Sequence, residues 1–317
     1  MSSSEVVLPQ QNVLKGILCK LGAVVMFIMM AVLVKALSEN VPTGQVVFFR
    51  SFCGIPIIFA WLLMRGDFKA GLKTNNLTGH FWRGLVGTMG MTTGFAALGL
   101  LPFSEVKAIQ YAQPVLVVIF AAMFLGERVR VFRLTAVTLG MAGVIVIMSP
   151  RLSVLGQELA DFRLALGAVL ALASAVFAGL AHVFVRKLTQ SEPTSAIVFY
   201  FALTASTLSL LTIPFGWIAP SPIEWAMLIG AGLVGGIGQI FLTSSYRYAD
   251  ASLIAPFEYS SIILALAIGY FVFAEVPTFL MLVGVAMIVA AGILIIWRER
   301  QLGLQRAQGR KVMTPQG

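Results

Sequence analysis

Glu258 is the lone carboxylate of an apolar run from Ala251 to Phe273, in the context Ala255-Pro-Phe-Glu-Tyr-Ser-Ser261. An acid there has two chemistries open to it: pairing with a cation, of the protein or of a substrate, or taking up and releasing a proton. A second polar group, Gln110, Tyr111 and Gln113, interrupts another apolar run in Ala108-Ile-Gln-Tyr-Ala-Gln-Pro114, and Tyr259 adjoins Glu258. Arg50 follows Phe48-Phe49 inside a third run, and His182 lies near the end of a fourth. A guanidinium so placed suits a substrate carboxylate, a structural ion pair or snorkelling to the nearest interface. His182 suits a proton relay or a hydrogen bond between helices. Lys35, Glu105 and Lys107 form a charged cluster near the ends of two runs, open to a gating role or to an ordinary interfacial one. Cys19 and Cys53 fall in separate runs without metal-ligand spacing and read as packing residues, so no metal is expected.

The elements that hold these groups follow from composition. Hydrophobic residues make up 59% of the 317 and charged residues 11%, against roughly a quarter charged in soluble chains. A helix of roughly 17–25 apolar residues crosses the hydrocarbon core, and ten such runs occur, at about 16–37, 44–64, 81–100, 104–125, 131–149, 165–187, 194–215, 223–245, 251–273 and 277–297. The expected class is therefore an all-α integral membrane protein with ten transmembrane helices. Runs such as Leu282-Val-Gly-Val-Ala-Met-Ile-Val do not alternate, which excludes a β-barrel. In such a setting a mid-membrane acid costs about 2.5–3.5 kcal/mol on insertion scales, so Glu258 demands a compensating role.

The net charge of +9 is explained by topology. With the N-terminus placed in the cytoplasm, most lysines and arginines fall in inner segments, including Lys15, Lys20, Arg65, Lys69, Lys73, Arg83, Arg128, Arg186 and Arg247. That bias predicts both termini inside and removes the reason to invoke a nucleic acid. Glu5 interrupts the start of a signal peptide, so the first run is expected to remain as a helix. The basic segment 299–317 is expected to lie on the anionic inner leaflet, and the sequon at Asn76 falls in an inner loop, where it has no use.

The chain repeats itself. A shift of 151 residues places Gly16 on Gly167, Lys35 on Arg186 and Pro42-Thr43 on Pro193-Thr194; farther along, a shift of 148 places Gly84, Gly87 and Gly90 on Gly232, Gly235 and Gly238, Gln110-Tyr111 on Glu258-Tyr259, and Glu127 on Glu275. Two five-helix repeats are predicted, 14–149 and 165–298, joined by the segment 150–164. Because five is odd, the second enters the membrane from the opposite side, the inverted architecture of secondary transporters.

Phe48-Phe49-Arg50, the glycine-rich Arg83-Gly-Leu-Val-Gly-Thr-Met-Gly-Met91, Ala108-Ile-Gln-Tyr-Ala-Gln-Pro114 and Leu125-Gly-Glu-Arg128 together resemble the drug/metabolite transporter superfamily in its ten-helix EamA-like branch. The resemblance covers about residues 14–298. It implies an inner-membrane carrier of small metabolites working by alternating access, amino acids or related compounds being exported in many members, with uptake of an aromatic or nucleoside-like compound such as riboflavin or S-adenosylmethionine as the alternative. Phe201 stands where the repeat would place a second Arg50, and Ala274-Glu275 replaces Gly-Glu. On this reading Arg50, Gln110, Tyr111, Gln113, Glu258 and Tyr259 line a substrate cavity, Glu258 and His182 being candidates for proton coupling. Partners are then a small-molecule substrate, the lipid bilayer and coupling protons.

Three other classes fit the sequence less well. Gly230-Ala-Gly-Leu-Val-Gly235 lacks the strand and βαβ unit of a dinucleotide site, so neither a cofactor nor direct ATP drive is expected. A membrane enzyme would usually show clustered acids or a His with a nearby acid, and no acidic motif adjoins His80 or His182 along the sequence. A scaffold or channel is opposed by polar positions repeated in both halves, and the glycine faces serve packing within the chain as well as between copies.

Overall fold

The computed structural model describes residues 12–125, 131–152, 159–291, 293, 294 and 297. Among these the chain is helical throughout, with no strand. We number ten helices in chain order: α1 (Val13–Leu37), α2 (Thr43–Arg65), α3 (Leu77–Leu100), α4 (Phe103–Leu125), α5 (Val131–Leu152), α6 (Leu159–Leu188), α7 (Thr194–Leu210), α8 (Pro222–Tyr248), α9 (Ala251–Ile254, Ala255–Ser260 and Ser261–Phe273 in succession) and α10 (Phe279–Ala291). Five of them, including α1, α2, α4 and α8, are long and apolar enough to cross a membrane by length and composition. Helix α3 is long but carries His80, Arg83 and a series of glycines, which marks it as a helix with work to do inside the bundle. The basic tail, Glu127 and the centre of the 150–164 connection lie outside the described residues.

Local signals set the boundaries. Asn12 and Asn76 accept from the backbone of Lys15 and Gly79 at 3.1 and 2.8 Å, so Asn76 is a helix cap. Ser221 and Glu224 form a reciprocal capping box with Pro222 in the first turn. Helix α7 stops at Leu210, short of the expected 215, because Ile213–Phe215 turns as a 3-10 segment into Gly216 at φ 94°.

Three helices are interrupted. Helix α2 breaks at Cys53-Gly54, α4 breaks at Tyr111 between Phe103–Gln110 and Ala112–Leu125, and α9 winds as 3-10 over Ala255–Ser260. The last two breaks occupy equivalent positions of the repeat. Such breaks release backbone groups and recur at transporter binding sites.

The most extensive packings are α1 along α8 and α3 along α6, pairs that the repeat exchanges with one another. Glycines permit the close approach: a Cβ at Gly90 would stand 3.1 Å from the backbone of Ala178, and one at Gly16 2.9 Å from Ala249 Cβ. Large apolar side chains such as Met64, Ile263 and Phe271 face outward, while Lys20, Arg50, Arg83, His182 and Gln239 are buried. This is the distribution expected where lipid is the solvent.

Candidate functional site

A cavity of about 190 Å³ lies where the interrupted helices meet, walled by α1, α2, α3, α4, α6, α7, α8 and α9. The structure places Arg50, Gln110, Tyr111, Gln113, His182 and Glu258 on its wall. Tyr259 is the exception: it is buried beside Tyr111, ring centroids 6.1 Å apart, and does not line the cavity. The 3-10 winding of α9 turns Glu258 inward and its neighbour into the packing.

Glu258 pairs with Lys20 of α1, whose side chain is 2% exposed against 23% for the acid. Neither Arg247 nor a substrate cation is needed to explain it, for Arg247 instead binds Thr194 Oγ1 at 2.9 Å and the carbonyl of Glu192. Lys20, counted from sequence among the cytoplasmic cations, is thus an interior residue. The same correction applies to Arg83, which is 3% exposed and on the cavity wall. From the sequence both stand within about a turn or so of a span end, where cations ordinarily mark an interface.

The tyrosines and amides hold one another as a scaffold. Tyr111 Oη lies 2.8 Å from Ser261 Oγ, Gln110 Nε2 donates to Ser174 Oγ at 3.2 Å, and Ser174 Oγ donates to the carbonyl of Gly90 at 2.8 Å. His182 Nδ1 is 3.0 Å from both Gln113 Nε2 and Tyr246 Oη. His182 is thereby held by side chains of α4 and α8 within this network.

Lys107, expected near the outer end of its helix as an interfacial or gating charge, also lines the cavity, its Nζ donating to Gln110 Oε1 at 3.4 Å. Lys35 donates to the carbonyls of Leu98 and Leu101 at 2.8 and 2.9 Å, tying the end of α1 to the end of α3. The repeat has a counterpart: Arg186 donates to the carbonyl of Tyr246 at 2.8 Å and pairs with Asp250, tying α6 to α8. Leu98 and Tyr246 are equivalent positions under the 148-residue shift, as Lys35 and Arg186 are under the 151-residue shift.

Two guanidiniums remain without an anionic partner. The Cζ of Arg83 is 3.7 Å and that of Arg50 5.5 Å from the centroid of the Phe201 ring. Arg50 makes only contacts of 3.4 Å, to Met30 Sδ and the carbonyl of Gly235; Arg83 Nε and Nη1 have no hydrogen-bond partner. No described carboxylate forms an ion pair with either. A desolvated cation over an aromatic face gains about 2 kcal/mol or somewhat more, whereas burying an ion costs several, and here two guanidiniums share one ring. Phe201 alone therefore does not compensate them. Room for each guanidinium comes from a glycine: a Cβ at Gly87 would stand 2.3 Å from Arg83 Nη1, and one at Gly235 3.0 Å from Arg50 Nε. These are equivalent positions of the two repeats. Among the described residues no group of three metal-ligating side chains converges.

The family model described as the EamA-like transporter family matches the chain twice, over residues 14–149 and 165–297. The chain is 32% identical over 284 residues to the pseudopaline exporter of Pseudomonas aeruginosa, covering 87% of this chain and 94% of that one. It is 27% identical to an S-adenosylmethionine uptake transporter of Rickettsia felis, covering 85% and 88%, and 27% identical to a riboflavin transporter of Vibrio cholerae, covering 79% and 81%. A solved crystal structure superimposes with a TM-score of 0.69 over 90% of this chain and 98% of the other at 23% identity, a likeness of fold.

Proposed function

We propose a transport cycle for this chain, which belongs to the EamA-like transporter family of the drug/metabolite transporter superfamily and is a multi-pass transporter of the bacterial inner membrane, not an enzyme. In our reading it is a secondary active carrier that exports a small organic metabolite, an amino acid or related compound, by alternating access. The observation that carries this is the cavity at the paired breaks of α4 and α9, which bears charged and amide side chains and has contributions from both halves of the chain. Two inverted five-helix repeats, 14–149 and 165–298, rock about it, with both termini cytoplasmic.

The equivalent ties at the helix ends support such a cycle. The Lys35 tie closes α1 on α3 and the Arg186 tie closes α6 on α8, so releasing one while keeping the other would open the cavity toward one side. Both are formed here at once, in keeping with the small cavity, which falls below the roughly 300–1,000 Å³ of pockets holding drug-sized ligands. In the cycle Glu258 is the coupling acid: a proton on it removes the charge that holds Lys20 and frees α9 from α1. Export is favoured by the relative named as a pseudopaline exporter. Uptake of an aromatic or nucleoside-like metabolite is the second reading, favoured by the relatives named for S-adenosylmethionine and riboflavin and by the rings of Phe27, Phe95 and Phe201 on the wall.

The test is tracer flux in proteoliposomes with an imposed pH gradient, comparing wild type with Glu258→Gln. The variant is expected to keep substrate exchange and lose its dependence on the gradient. Unchanged gradient-driven flux would remove Glu258 from coupling, and absence of flux for every metabolite tried would remove the carrier reading.

A further inference from the structure

The charges around the cavity are not balanced, and the imbalance identifies what belongs there. Its wall carries Arg50, Arg83 and Lys107 and a single acid, Glu258, and that acid is already committed to Lys20. The unpartnered atoms are donors as well: Arg83 Nε and Nη1, together with Gln239 Nε2 on the same wall, are buried without an acceptor. Groups that only donate are satisfied by a ligand that only accepts, and a carboxylate offers two oxygens in the geometry of a guanidinium fork.

Resting on the carrier reading above, we propose that Arg83 and Arg50, held against Phe201, form a carboxylate-binding site and that the transported metabolite is an anion with at least two carboxylates. One carboxylate neutralises the Arg83–Arg50 pair in part; a second, reaching toward Lys107, pairs with that ammonium and leaves a single positive charge on the two arginines. The site is built, not incidental. Gly87 and Gly235 clear the space the guanidiniums occupy, and the Phe201 platform stands at the position where the repeat would otherwise set another arginine. The cationic positions belong to the first half alone: Lys20, Arg50, Arg83 and Lys107 correspond to Ala171, Phe201, Ala231 and Ala255 in the second. The anion is therefore held off the axis relating the halves, against α2, α3 and α4. A buried cation kept without a counter-charge weakens the empty protein, which is the common cost of a preformed binding site.

The purified full-length protein is tested two ways, by thermal unfolding in detergent and by counterflow of labelled probes in proteoliposomes. The probes are citrate, L-glutamate, L-leucine, L-lysine, S-adenosylmethionine and inorganic phosphate. Citrate or L-glutamate is expected to raise the unfolding temperature and to exchange. Arg83→Gln is expected to weaken that response at least tenfold while the empty variant unfolds at or above the wild-type temperature, and Arg83→Lys to recover part of the affinity. Stabilisation by phosphate alone would mark an adventitious ion and overturn the proposal. So would a less stable Arg83→Gln protein that binds citrate and L-glutamate as wild type does, since Arg83 would then be structural. Exchange of leucine, lysine or S-adenosylmethionine, unaffected by Arg83→Gln, would overturn the anion site and leave the carrier reading standing. Stabilisation by a carboxylate without exchange of any probe would keep the site and overturn the carrier; neither binding nor exchange would overturn both.

Discussion

The pair between Lys20 and Glu258 can be measured apart from transport. Replacing Glu258 by Gln leaves the Lys20 ammonium, 2% exposed in its side chain, facing a neutral amide. Breaking a buried ion pair by removing one partner costs about 3–5 kcal/mol. Two features reduce this: the acid is 23% exposed toward the cavity, and the Gln oxygen still accepts a hydrogen bond worth about 1 kcal/mol. A net destabilisation of about 2–3 kcal/mol follows. At roughly 2 °C per kcal/mol for a chain of this size, the unfolding temperature should fall by about 4–6 °C. Lys20→Met alone removes the cation and strands a partly exposed acid, at a smaller cost of about 1–2 kcal/mol. The double variant Lys20→Met with Glu258→Gln leaves no unpaired charge and should sit within about 1 kcal/mol of wild type, a coupling of about 2 kcal/mol or more. The assay is thermal unfolding of the four proteins in one detergent. Additive losses, or a Glu258→Gln protein as stable as wild type, would refute the argument that Lys20 is what the acid is for.

The other predictions test packing, clearance and gating. Gly232→Ala should destabilise by about 1–3 kcal/mol, because its Cβ would lie 2.4 Å from Cys53 Cβ and 2.9 Å from the carbonyl of Phe49; thermal unfolding checks it. Gly87→Ala, whose Cβ would stand 2.3 Å from Arg83 Nη1 and 2.9 Å from Phe201 Cε2, should lower affinity for citrate about tenfold by displacing the guanidinium from its ring, as read by ligand-induced stabilisation, while alanine's helix propensity of about 1 kcal/mol offsets part of the packing cost. Arg186→Ala and Lys35→Ala should bias access in opposite directions: with Cys19 and Cys53 replaced by Ala and Ser174→Cys placed on the cavity wall, a membrane-impermeant thiol reagent should label one variant faster from the inside and the other faster from the outside. Equal labelling from the two sides would detach these ties from gating.

How far the sequence reaches is set by what kind of signal each feature leaves. Ten helices were legible because lipid demands long apolar runs, and the pairing of α4 with α9 at the cavity because Gln110-Tyr111 and Glu258-Tyr259 recur at one offset; the breaks in those two helices were not. The inward turn of Glu258 and the outward packing of Tyr259 were not, since a 3-10 segment rotates neighbours away from the α-helical spacing on which a face is read. Lys20 and Arg83 were misread for a different reason. A cation near a span end is usually interfacial, and only tertiary contacts reveal that Glu258 of α9 and Tyr246 of α8 meet Lys20 while Phe201 of α7 meets Arg83. Arg83 did leave a trace: a glycine one turn ahead of it, at Gly87, repeated as Gly235 where no arginine precedes it in the second half.

On the proposed two-repeat carrier, the mismatch between the halves gives the cavity one preferred orientation for its ligand. A strict two-fold cavity offers every ligand two equivalent poses, and a charged group on the axis would meet its own copy at close range. Here the second half has Ala171, Phe201, Ala231 and Ala255 where the first has cations, and Glu258 where the first has Gln110. The glycines that make room, Gly87 and Gly235, and the end ties, Lys35 and Arg186, stay paired. On the proposed cycle, symmetry is retained in the end ties that would move alike in both half-cycles and is lost in the cavity groups that would bind one anion in one orientation. The arginines of the first half and the phenyl ring of the second are complementary because they are no longer equivalent, and the single acid is left to hold the one cation that faces it across the interface between the halves.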